Sequence, residues 1–260
     1  MIPLVDIHVH LLAGLDDGPR TLEEAVAMCR LAAAEGVQAM AATAHQNERW
    51  KDVTVDRIRD ATELLRAALA RENIPLTVSP SAEVMAEPDT PAAWRDGRLF
   101  SVGGHGHYLL LEMPRGAFVD LLPTVCALRE AGVRTILAHP EKEDEFLHAD
   151  GGLEALIEAG CLVQVSASSV TDPKSCADRR ALRGWFKRGM VHLLASDGHS
   201  PRRRPPHMAA AHREICRWIG TVAADRIAGA NGMAILNGER VRPPRPLRRE
   251  PAWAWLPRLW

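Results

Sequence analysis

Aromatic residues and cysteines are scarce in this 260-residue chain, which carries one Tyr, four Phe and five Cys. Cys29, Cys126, Cys161, Cys176 and Cys216 form no CxxC pair and are odd in number, which argues against a disulfide framework and fits a reducing cytoplasm. They fall in helix-like or strand-like segments and read as small core residues. None is followed six positions later by Arg, so a cysteine phosphatase is excluded. Ser196 lacks the nucleophile-elbow context of a serine hydrolase. Excess charge is absent too: 32 basic residues face 33 acidic ones, so no global field draws the chain to nucleic acid. No apolar run approaches the roughly 18 residues of a spanning helix, and the N-terminus lacks the regions of a signal peptide. A cytoplasmic location is expected.

What the chain does have is a rhythm of apolar runs alternating with amphipathic segments. The first strand is Leu4 to His10, and Thr21-Leu22-Glu23-Glu24 forms a capping box opening a helix to Ala34. Further strands are expected at 39–43, before Glu83, at 108–112, up to His139, at 161–165 and at 191–195. Helices are expected near 54–71, 90–96, 119–131, 153–159, 177–188, 206–218 and 222–229. Seven β-α units imply an α/β fold with a parallel sheet, here a distorted seven-stranded (β/α)7 TIM-like barrel spanning residues 1–240. Residues 241–260 differ in kind, rich in Pro and Arg with Trp253, Trp255 and Trp260, and form a C-terminal extension. That extension packs over the barrel or reaches a partner or membrane surface.

Five strand-like runs end in metal-ligand residues: His8 and His10, His45, Glu83, His139, and Asp197 with His199. In a parallel barrel such ends meet on one face, so residues scattered from 8 to 199 converge there. The side chains of His8 and His10 lie on one side of their strand because strand side chains alternate. Asp17 follows in a turn-like Asp-Asp-Gly-Pro, and Glu112 adjoins an apolar strand where a carboxylate needs a cation or hydrogen bonds. Imidazole and carboxylate together suit manganese, iron or zinc, and no thiolate joins the set to favour a softer ion. Four carboxylates (Asp17, Glu83, Glu112, Asp197), five neutral histidines and an assumed three divalent ions leave two positive charges, matching a phosphate monoester dianion.

These residues resemble the PHP (polymerase and histidinol phosphatase) family, and most closely its bacterial capsule-type metal-dependent protein-tyrosine phosphatases. The carriers are Asp6-Ile7-His8-Val9-His10, Asp16-Asp17-Gly18-Pro19, Ala42-Thr43-Ala44-His45, Ala82-Glu83, Leu111-Glu112, Ala138-His139-Pro140-Glu141, Gln164-Val165, Ala195-Ser196-Asp197-Gly198-His199 and Arg204-Pro205-Pro206-His207-Met208. The resemblance runs to about Asn237. It implies three divalent ions, Mn2+ first. His8, His10, Glu83 and Asp197 would hold one; Glu83 would bridge to a second completed by Glu112 and His139; Asp17, His45 and His199 would hold the third. Many relatives carry His-x-Glu-Arg-Tyr where this chain has His139-Pro140-Glu141-Lys142-Glu143, so Lys142 keeps the charge but not the fork of Arg.

The implied reaction is hydrolysis of phosphotyrosine on a protein, a bacterial tyrosine kinase of capsule or exopolysaccharide synthesis. Metal-activated water attacks phosphorus in line, Arg204 and Lys142 steady the equatorial oxygens, and a protonated imidazole or metal-bound water near His199 assists the leaving phenolate. The alternatives are a phosphoesterase for a small molecule such as histidinol phosphate, or a non-catalytic metal-binding regulator. Oligomer formation is open. His105 and His107 read mainly as loop residues, His192 and His148 as structural or solvated. Arg49 and Trp50 are placed either at the mouth or in a surface loop, as are Arg202 and Arg203.

Overall fold

In the computed structural model, residues 3–114, 116–149, 152–242 and 246–247 are described. Nine parallel strands form the sheets: β1 (Leu4–His10), β2 (Val37–Thr43), β3 (His45–Gln46), β4 (Thr77–Pro80), β5 (Glu83–Met85), β6 (Tyr108–Glu112), β7 (Arg134–Ala138), β8 (Leu162–Ser166) and β9 (Leu193–Ala195). They pair as a three-stranded sheet, β1-β2-β4, and a six-stranded sheet, β3-β5-β6-β7-β8-β9. The α/β class and parallel pairing agree with the expectation. Among the described residues the strands do not join into a single closed seven-stranded barrel.

The reason lies in two of the expected strands, each of which is interrupted. Ala42 opposes Pro80 in the β2–β4 ladder, and proline has no N–H to carry it forward. Pairing resumes beyond the break, where Ser81 N donates to Ala42 O (3.0 Å) and Glu83 N to Ala44 O (3.0 Å). At the other margin β1 meets the segment after β9 through one bridge, Val9 to Gly198. There Asp197 N donates to His8 O (2.9 Å) and His10 N to Gly198 O (2.8 Å). The strand ends are thus brought into one ring without a continuous ladder.

Strands buried on both faces explain the near-continuous apolar runs. In β6, Tyr108 and Leu110 enter a smaller inner cluster with Ile136, Leu162 and Leu193, whereas Leu109 and Leu111 enter the large cluster. Period two then puts Glu112 on the side of Leu110, toward the ring of strand ends. The helix Asn231–Leu236 lies so close to β1 that a Cβ on Gly232 would stand 2.9 Å from Val5 Cγ1.

Helix starts follow the sequence signals. Thr21 Oγ1 accepts from Glu24 N and Thr54 Oγ1 from Arg57 N, each capping its helix (Leu22–Ala34 and Val55–Arg71). The expected single helix at 222–229 is instead Thr221–Asp225 followed by a π-helical stretch, Arg226–Ala230. Cys29 and Cys161 are core residues as expected, but Cys126 and Cys216 are half-buried and Cys176 is exposed. Most of the 241–260 extension lies outside the described residues. Of its visible part, Val241 N donates to the hydroxyl of Tyr108 (2.8 Å). No helix among the described residues is long and apolar enough to cross a membrane.

Candidate metal centre

β1 delivers His8 and His10, both fully buried, to the ring of strand ends. Each ring is held from behind. His8 Nδ1 donates to Gln164 Oε1 (3.0 Å), and His10 Nδ1 donates to Asp16 Oδ2 (2.6 Å). Asp16 also accepts from Gly18 N and His45 N (both 2.9 Å), and these donors with the His10 charge hold its carboxyl down at about 2 despite burial. With Nδ1 committed, each ring turns an Nε2 lone pair inward. Those two nitrogens lie 3.3 Å apart, and 3.2 and 3.3 Å from Glu83 Oε2.

Glu83 opens β5 and is the common neighbour of the centre. Its Oε1 meets His139 Nε2 at 2.8 Å, and its Oε2 also lies 3.2 Å from His45 Nδ1. Burial alone would raise this carboxyl; the imidazoles of His8, His10 and His139 hold it well below the usual range. In return, Glu83 raises His8, and Asp16 with Glu83 raises His10, each against its own burial. Three lone-pair-bearing atoms at such spacing demand positive charge between them, either protons or a cation.

All nine sequence-nominated ligands come together. Side chains close enough to share an ion form four sets: His8, His10, Asp197; His8, Glu83, His139; His45, Glu83, Glu112; and His10, Asp17, His45, His199. The expected trio Asp17, His45, His199 gathers with His10 added. The expected trio Glu83, Glu112, His139 divides, because Glu83 meets His139 through one oxygen and His45 beside Glu112 through the other. His139 and Asp197 both have left-handed backbones, φ 36° and 53°. Non-glycine residues rarely adopt this region, and its retention here aims both side chains inward.

A cavity of about 220 Å³ opens onto the centre, lined by His45, Glu112, His139, Asp197 and His199 among others. Lys142 and Arg204 line it as well, and both donate to Asp197 Oδ2, Arg204 Nη2 at 2.8 Å. These cations and His8 press the Asp197 carboxyl far down against its burial. His199 stacks on His10 with centroids 3.8 Å apart. Burial, then the His10 charge, push His199 down to about 2. Both effects favour the neutral imidazole, the form that offers a lone pair.

The donor set fits divalent ions. His45 has both ring nitrogens buried without a hydrogen-bond partner, and Glu112 Oε1 is equally unpartnered. Such atoms are rare unless something fills the gap between them. Sequence reasoning assigned no role to Asp16, Gln164 or Asp6, which orient the ligands. Asp6 Oδ1 accepts from Ser196 N (3.0 Å) beside Asp197, and burial lifts its carboxyl to about 6. The Asp16-Asp17 doublet was the visible signal for one of them.

Other nominated residues lie elsewhere. His105 Nε2 and His107 Nδ1 meet the carbonyls of Leu236 and Gly238, away from the cavity. His192 is a core residue accepting from Val163 N, and His148 pairs with Asp178 at the surface. Arg49 stacks on Trp50, which lines a separate cavity. Arg202 and Arg203 are exposed.

Against known proteins, the sequence profile described as "Capsular polysaccharide synthesis, CpsB/CapC" matches residues 4–237. The chain belongs to the CpsB/CapC family. Its relatives include a tyrosine-protein phosphatase CpsB of Streptococcus agalactiae serotype III (strain NEM316), 22% identical over 243 residues covering 92% of this chain and 100% of the relative. Tyrosine-protein phosphatase YwqE of Bacillus subtilis (strain 168) is 25% identical, covering 95% and 97%. A crystal structure from work on YwqE of Bacillus subtilis and CpsB of Streptococcus pneumoniae, described as unique metal-dependent tyrosine phosphatases, superposes with a TM-score of 0.85. It shares 24% identity and covers 95% of this CpsB/CapC chain and 100% of that one. A histidinol phosphate phosphatase of Lactococcus lactis, complexed with zinc, L-histidinol and phosphate, shares the fold more loosely, with a TM-score of 0.55, 12% identity and coverage of 86% and 94%.

Proposed function

We propose that this chain is a metal-dependent protein-tyrosine phosphatase of capsule or exopolysaccharide synthesis, hydrolysing phosphotyrosine on a bacterial tyrosine kinase. The observation that carries the reading is Glu83, ringed by His8, His10, His45 and His139 beneath a cavity whose mouth holds Lys142 and Arg204. The family relatives named as tyrosine-protein phosphatases support the substrate class.

Residues His8, His10, Asp17, His45, Glu83, Glu112, His139, Asp197 and His199 would hold three divalent ions, manganese foremost, within a PHP-type barrel of residues 1–240 in the cytoplasm. When bound, such ions supply activated water and neutralise phosphoryl oxygens. The chain's own contribution is positioning. Gln164 and Asp16 fix the tautomers of His8 and His10 so that both offer Nε2. Lys142 and Arg204, which rest on Asp197, turn their donors to the equatorial oxygens of an arriving phosphoryl group. Phenolate, with a pKa near 10, leaves without a protonated His199. A small phosphate monoester bearing an amine is the second reading, favoured by Glu143 in the cavity lining.

The deciding experiment compares a phosphotyrosine peptide, para-nitrophenyl phosphate and histidinol phosphate as substrates of metal-stripped protein. Manganese, iron or zinc is added back, with His139→Ala as control. Preferred, metal-dependent turnover of the peptide supports the reading. Preference for histidinol phosphate would favour the second, and binding of metal without any turnover would leave a regulator.

A further inference from the structure

The metal centre contains no thiolate, but the fold builds a second group of ligand-type side chains that does. His212 and Cys216 stand one helical turn apart on the helix Ala209–Ile219, so both face the same side. Gly220, with φ 83°, turns the chain into the next helix, Thr221–Asp225, whose last residue reaches back. His212 Nε2 lies 2.7 Å from Asp225 Oδ1 and 3.5 Å from Cys216 Sγ. All three atoms lie within 4.8 Å of one another, His212 buried and the other two half-buried.

We propose that His212 Nε2, Cys216 Sγ and Asp225 Oδ1 form a separate site for one zinc-like divalent cation, clipping the two helices together. Zinc bonds of about 2.3 Å to sulfur and about 2.0–2.1 Å to nitrogen set S and N about 3.5 Å apart in a tetrahedron. The Cys216–His212 spacing already has that value. His212 and Asp225 are closer than the roughly 3.4 Å of a tetrahedral edge between N and O, so they part by less than an ångström. Binding moves the His212 proton to Nδ1 and releases the thiol proton of Cys216 to solvent. The fourth position faces partly exposed surroundings and takes water. Sulfur selects a softer ion than the thiolate-free, imidazole-and-carboxylate centre at Glu83, so the two sites sort their metals. The helix that the clip restrains begins five residues after Arg204, which ties it to the mouth of the cavity.

Cobalt(II) tests this without reference to catalysis, because only a thiolate ligand yields the sulfur-to-cobalt charge-transfer absorption in the near ultraviolet. Metal-stripped full-length chain is titrated with cobalt beside Cys216→Ser and Asp225→Asn. Equal far-ultraviolet circular dichroism and equal metal-free melting show that the variants fold. The expected result is a band whose final amplitude corresponds to one thiolate-bound cobalt per chain in the wild type, absent in Cys216→Ser and weakened at least tenfold in apparent affinity in Asp225→Asn. A wild type that binds cobalt without the band overturns the site, as does a band that survives in Cys216→Ser. Since the band reports sulfur alone, a chain inactive on every phosphate ester would still show it.

Discussion

Replacing Asp16 by Asn tests the logic of the centre more sharply than removing a ligand does. Three donors face its two oxygens: His10 Nδ1 at 2.6 Å, His45 N at 2.9 Å and Gly18 N at 2.9 Å. An asparagine amide has one oxygen, so its NH2 must confront either Gly18 N or the pair His10 Nδ1 and His45 N. In the first case a buried N–H is left facing another donor. In the second, His10 turns acceptor at Nδ1, protonates Nε2 and loses the lone pair aimed at Glu83. Loss of one charge-assisted hydrogen bond costs about 1.5–3 kcal/mol, and loss of such a ligand-orienting partner weakens metal binding about 10–100-fold. Asp16→Asn is therefore expected to need at least tenfold more manganese for half-maximal hydrolysis of para-nitrophenyl phosphate, with kcat at saturating metal nearer to wild type. Calorimetric titration of manganese into stripped protein gives the affinities directly. Wild-type affinity in a folded Asp16→Asn protein would refute the tautomer argument.

Arg204→Ala should lower kcat/KM about 10²–10³-fold while metal content stays within error, since Arg204 touches the ligand Asp197 but is not a ligand itself; kinetics with elemental analysis decides. Buried His192, with its pKa pushed down to about 4 by burial, binds fewer protons folded than unfolded between there and its usual 6.5. Its contribution to stability is complete above pH 6.5 and is lost as the pH falls toward 4, up to about 3 kcal/mol. Urea midpoints from pH 4 to 7 should fall less steeply in His192→Gln than in wild type; parallel curves would contradict the assignment. In Gly232→Ala the new methyl meets Val5 Cγ1 at 2.9 Å and Ile7 Cγ2 at 3.0 Å, both buried. Overpacking of about 1–3 kcal/mol exceeds the gain in helix propensity of about 1 kcal/mol, so the melting temperature should drop.

The nominated ligands other than Asp17 were legible because they stand at or just beyond the ends of apolar runs, and a carboxylate or imidazole at a buried strand end is costly unless a cation or hydrogen bonds meet it. Helix caps at Thr21 and Thr54 were equally plain, being local chemistry. The broken sheet was not. Its cause is the pairing of Pro80 with Ala42, a register between segments about forty residues apart that no local pattern reveals. The detailed contacts of Glu83 were hidden for a similar reason: which of its oxygens faces His139 and which faces His45 depends on the angles between strands. Asp16 and Gln164 stood in the motifs without a role because an orienting residue has no periodicity of its own. The cluster at Cys216 escaped because His-x-x-x-Cys on a helix resembles any amphipathic face until Asp225 folds back onto it.

One carboxylate standing against four imidazoles has a consequence for how the centre assembles. Each set of ligands that includes Glu83 draws on the same two oxygens, so an ion entering one place rotates and polarises the group that the next ion requires. Filling is then linked, in the sense that the free energy of each event depends on the others. In a chain loaded as proposed, the affinity for each ion would depend on which ions are already present, and stepwise manganese titration would read that dependence.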